Sequence, residues 1–144
     1  MRVDQKAVSE STIPSTSSFE RNLFGVAAAF NLLVASVIVI PGSFAWALLR
    51  MAPPDQPLFL HLFAAFVLLF GLVYFWIALD VTGKQALILL GAIGKLAVMA
   101  VVLGHYLAGS IPVEVVMLGS GDLVFAVLFL TVFHRRRAEA PSIL

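Results

Sequence analysis

Cysteine is absent from this chain, which excludes disulfides, thiol redox chemistry and thiolate-held metals. Charge is scarce as well. Only 12% of the 144 residues are Asp, Glu, Lys or Arg, and the net charge is +1. A soluble domain carries about 25% charged residues, and a balance this close to neutral offers nucleic acid no basic surface. The chain also lacks a phosphate-cradling glycine loop, an HExxH zinc motif, a serine-centred elbow and paired carboxylates. The first apolar run has no glutamate of the kind expected in small multidrug exporters. With no cysteine pair, a quinone-linked thiol oxidoreductase is excluded too.

What is there is apolar. Hydrophobic residues make up 61% of the chain, and the mean hydropathy is +1.04. A membrane-crossing helix needs about 20 mostly apolar residues. Four segments qualify: Asn22 to Ile40, Leu58 to Leu79, Gln85 to Leu107 and Val113 to Phe133. The expected fold is therefore an all-α integral membrane protein. Residues 22–133 form the transmembrane domain, and residues 134–144 form a basic C-terminal tail. Residues 1–21 are polar and rich in serine, which suits a disordered tail rather than a cleaved signal peptide. Pro41-Gly42 ends or kinks the first helix. The apolar stretch Ser43 to Met51 then reads as a short interfacial helix, or as a continuation beyond the kink.

The links around Asp80 to Lys84 and Gly109 to Pro112 are short, so sequential helices are expected to be antiparallel neighbours in an up-down-up-down four-helix bundle. One side collects Arg2, Lys6, Arg21, Lys84, Arg135, Arg136 and Arg137, and the other holds Arg50 alone. The positive-inside rule then puts both termini in the cytoplasm. Short loops and a basic C-terminus fit a multi-pass protein of a bacterial cytoplasmic membrane.

Three polar residues interrupt the apolar runs. At 1.5 Å per residue, Asn31, Lys95 and Asp122 lie roughly 13, 15 and 16 Å deep, near the middle of a core about 30 Å thick. An unpaired charge there costs several kcal/mol, so Lys95 and Asp122 are expected to pair. Gly91 and Gly119 share a face with these charges, and Gly94 and Gly121 lie beside them, which favours close helix packing. The pair can act as a structural clip or as an ion- or proton-binding site.

A second set, His61, His105 and Glu114, has matched depths toward the other face and is a candidate ligand-binding cluster. Two histidines without a spacing motif give haem little support. No metal site is assigned. Phe59, Phe63, Phe66, Phe70, Tyr74, Phe75 and Trp76 give the second span an aromatic surface that can face lipid or hold a lipid, quinone or pigment. Three functions fit: an interaction or accessory subunit of a membrane assembly or homo-oligomer, a small proton- or ion-coupled transporter or channel, and a membrane-embedded enzyme acting on a lipid or isoprenoid. The expected partners are the lipid bilayer and other membrane subunits or a second copy.

Overall fold

The computed structural model describes residues 16–40 and 44–139. Five helices follow in order: α1 (Ser18–Val39), α2 (Phe44–Leu48), α3 (Pro57–Leu79), α4 (Gln85–Leu107) and α5 (Val113–Glu139). All but α2 are long and apolar enough to cross a membrane, and no strand occurs among the described residues. The chain is an all-helical, multi-pass membrane protein.

Both outer boundaries differ from expectation, for one electrostatic reason. Helix α1 starts at Ser18 rather than Asn22, because Ser17 and Glu20 form a reciprocal capping box. The Glu20 amide donates to the Ser17 hydroxyl at 3.2 Å, and the Ser17 amide donates to the Glu20 carboxylate at 3.0 Å. Residues 18–21 are thus helical rather than tail; residues 1–15 lie outside the described residues. Helix α5 continues through the basic segment to Glu139 instead of stopping at Phe133. Its extension is held by Arg136, whose guanidinium grips both oxygens of Glu20, with the Nε bond at 2.9 Å. Residues 140–144 lie outside the described residues, as do Pro41, Gly42 and Ser43.

Within the expected interfacial stretch, α2 is a single short turn of helix. It closes on Arg50, whose φ of 52° is left-handed and uncommon for a side-chain-bearing residue. The Arg50 guanidinium lies 3.0 Å from Glu114 in the first turn of α5, tying the two elements together.

Helix α1 packs along α3, and α4 packs along α5, whereas α3 and α4 touch at few places. Short loops alone do not give this inequality. Aromatic rings close the bundle across α1 and α5: Phe24 meets Phe129 with centroids 4.6 Å apart, and Phe30 meets Phe125 at 5.8 Å. Most of the buried core is at one end, around Phe24, Tyr74, Ile77, Ile88, Phe129 and Val132. The end is sealed by Thr16, whose hydroxyl accepts from the Val81 amide at 3.2 Å and donates to Asp80. Just past α3, the Thr82 amide donates to Asp80 at 2.9 Å and, with the Thr82 hydroxyl and Lys84, holds the Asp80 carboxyl below its usual range. Such a lowered carboxyl contributes stability above its unfolded-state pKa and loses it as pH falls through the folded value.

At Gly91 of α4 the missing side chain makes room for Tyr74 of α3. A Cβ there would stand 2.7 Å from Tyr74 Cε1 and 3.4 Å from Phe129 Cε2. Gly91→Ala is expected to lower stability by about 1–3 kcal/mol through overpacking. Gly104→Ala, which meets open space, serves as the control and should leave the thermal midpoint in detergent nearly unchanged.

Candidate functional site

The polar centre draws on three helices. Lys95 of α4 is only 4% exposed. Its ammonium donates to Asp122 Oδ1 of α5 and, at 3.2 Å, to Asn31 Oδ1 of α1. Asn31 then donates from Nδ2 to the Val67 carbonyl of α3 at 3.2 Å, so the network touches all four spanning helices. Around the ammonium stand Phe125, Tyr74 and Phe30, with ring centroids 5.1, 5.4 and 5.7 Å away. Their negative faces favour the cation by about 0.5–2 kcal/mol each.

Local sequence explains why these groups meet. Gly71 lets α3 approach α1 at Asn31, where a Cβ would lie 3.3 Å from Asn31 Cβ. Gly119 packs onto Met99 and Val102 of α4, one turn from Asp122. Gly91 accommodates Tyr74, Gly94 faces Phe70 of α3, and Gly121 faces Phe30 of α1. Gly91, Gly94, Gly119 and Gly121 therefore serve several different helix contacts, not one shared seam.

The centre is asymmetric. The Lys95 side chain is 5% exposed and that of Asp122 18%. Asp122 Oδ2 accepts no hydrogen bond from any described residue. The whole trio lines a cavity of about 130 Å³ walled by Phe30, Phe63, Phe66, Phe70 and Tyr74. Of the α3 aromatics only Tyr74 is buried and Phe70 half-buried, while Phe59, Phe63, Phe66, Phe75 and Trp76 are exposed.

The second set is not brought together. His61 opens on a separate groove between α1 and α3, beside Ala35, Ser36 and Val39. His105 is exposed in the last turn of α4. Glu114 is occupied by Arg50. No group of three or more His, Asp or Glu side chains converges among the described residues. Equal depth brings two side chains together only when both helices also turn them toward each other, and here they do not.

Two features escaped the sequence reading. The buried pair of Glu20, 2% exposed, and Arg136, 6% exposed, joins α1 to α5. Its signal was present in the Ser17-x-x-Glu20 spacing of a capping box and in the 3/4 spacing that puts Phe129, Val132 and Arg136 on one face of α5. The other is the Trp46 indole Nε1, which is buried without a hydrogen-bond partner; no spacing rule anticipates it. No family model, curated protein or solved structure matches this chain.

Removing one member of a buried pair strands the other, at a cost of about 3–5 kcal/mol. Lys95→Ala and Asp122→Ala are each expected to lower stability by that order, and the double variant by less than the sum. Thermal unfolding of all three in detergent measures the coupling, and strictly additive losses would refute direct pairing.

Proposed function

We propose that this chain is an interaction or accessory subunit, a four-helix scaffold that docks in a larger membrane assembly or with further copies of itself. Its Lys95–Asp122–Asn31 centre sets which helices meet and at what depth. The observation that carries this reading is that the bundle's buried charges answer one another: Lys95 with Asp122, and Glu20 with Arg136. A scaffold uses intramembrane charge for register, since a mispaired helix would leave an ion in lipid.

The arrangement proposed is up-down-up-down. Its support is that the start of α1 meets the ends of α3 and α5 through Thr16–Val81 and Glu20–Arg136, while α2 meets the start of α5 through Arg50–Glu114. Arg21, Lys84, Arg135 and Arg137 gather at the first of these ends, which the positive-inside rule assigns to the cytoplasm together with both termini. The membrane proposed is a bacterial cytoplasmic one, and the partners are lipid and other membrane helices. Because the chain has no cysteine, Thr82→Cys and Ser110→Cys each introduce a single thiol. An impermeant maleimide should label Ser110→Cys in intact cells and Thr82→Cys only after permeabilisation; the reverse pattern inverts the topology.

One observation favours a second reading, a small proton- or ion-coupled transporter: Asp122 lines a cavity and keeps one carboxylate oxygen free of any donor among the described residues. Asp122→Asn separates the two. Under the scaffold reading the parent chain gives an assembly by native mass spectrometry of membrane extracts, and this variant loses it. Retained assembly with abolished ion flux in proteoliposomes selects transport instead.

A further inference from the structure

The α2 end of the bundle is built differently from the closed end. Above the polar centre lies a chamber of about 230 Å³. Its walls are apolar, from Leu60, Phe63, Val98 and Val115 among others, and it carries two polar residues, Asp122 and Trp46. Asp122 presents a carboxylate oxygen with no donor among the described residues. Trp46 presents a buried indole N–H with no acceptor. A buried donor left unpaired costs about 1–3 kcal/mol, and in a closed scaffold an apolar side chain at position 46 would avoid that cost. Two residues of the chamber wall thus carry an unused hydrogen-bonding group, an acceptor on Asp122 and a donor on Trp46, in an otherwise greasy lining.

Size and shape narrow the occupant. A cavity of about 150 Å³ holds benzene, so this chamber takes a single substituted ring. It shares Phe30, Val34, Ile38, Leu49 and Leu118 with a wider groove of about 440 Å³ running between α1, α2 and α5. That groove is lined by Leu33, Val37, Phe44, Leu48 and Met117, with almost no polar surface, which suits a hydrocarbon tail.

We propose that this chamber and groove bind a quinol-class lipid, with a ring hydroxyl donating to Asp122, a ring oxygen accepting from the Trp46 indole, and the tail lying in the groove. The inference concerns binding alone and stands apart from the assembly reading. It carries a selectivity: a quinol has a proton to give the carboxylate, and the oxidised quinone has none. A site that offers an acceptor to a hydroxyl discriminates against the analogue lacking the donor.

The test is calorimetric titration of the full-length chain in detergent, under nitrogen with a reductant, which a cysteine-free protein tolerates. The probes are decylubiquinol, decylubiquinone without reductant, and decylbenzene. A hydrogen bond to a charged group is worth about 1.5–3 kcal/mol, so the quinol should bind roughly tenfold or more tighter than the quinone, with decylbenzene weakest. Trp46→Phe removes one neutral hydrogen bond and should weaken quinol binding about fivefold without lowering the thermal midpoint of the ligand-free chain. Asp122→Asn should level quinol and quinone, because an amide both donates and accepts. Equal affinity for all three decyl probes, no saturable quinol binding, or quinol affinity untouched by Trp46→Phe overturns the proposal.

Discussion

A single ammonium group near the middle of the membrane constrains the rest of this protein. Lys95 cannot be left in hydrocarbon, where an unpaired lysine costs about 3 kcal/mol by insertion scales and far more on an isolated helix. Its carboxylate partner comes from α5, its amide partner from α1, and the amide is in turn anchored on α3. Each of those bonds has a length and a direction. Together they fix the depth and rotation of four helices that lipid-facing leucines and phenylalanines leave unspecified, because apolar side chains gain little by choosing one helix neighbour over another in lipid.

The same logic operates once more near the basic end of the bundle, with a different donor. Arginine's planar fork matches a carboxylate with two parallel bonds, and Arg136 uses it on Glu20. Glu20 at the same time completes the N-terminal cap of α1, so one carboxylate both starts a helix and joins it to the end of another. Between this pair and the Lys95 centre lies most of the buried apolar core. Beyond the Lys95 centre the packing loosens into connected cavities, closed over by α2. The bundle is thus sealed at one end and chambered at the other, with the charged centre as the floor of the chamber.

What could be read directly from residues follows from which quantity each feature depends on. The four spans rest on hydropathy and length, both linear in sequence, and they stand within a few residues at each end. The meeting of Lys95 and Asp122 rests on depth, which a constant helical rise supplies. Rotation about the helix axis is harder, since it depends on neighbours. His61 and His105 match in depth yet turn to different surroundings, and Gly91, Gly94, Gly119 and Gly121 face different helices. Glu20 and Arg136 were hidden because charges flanking a span are ordinarily solvated. Only the capping-box spacing and the apolar face leading to Arg136 mark them as different.

Pairing of helices adds a last constraint. Helix α1 lies along α3 and α4 along α5, leaving a lean seam between the two pairs. The strongest cross-seam contacts are polar or aromatic: Lys95 to Asn31, Arg136 to Glu20, the Tyr74 hydroxyl to the Gly91 carbonyl at 3.4 Å, and Phe24 on Phe129. Three of these four are directional, so the pairs are held in register without being packed tightly along their full length. A seam held by a few directional bonds can keep a chamber beside it at no cost to register. A seam held by continuous apolar packing would have filled that space, and Asp122 would have had no open side.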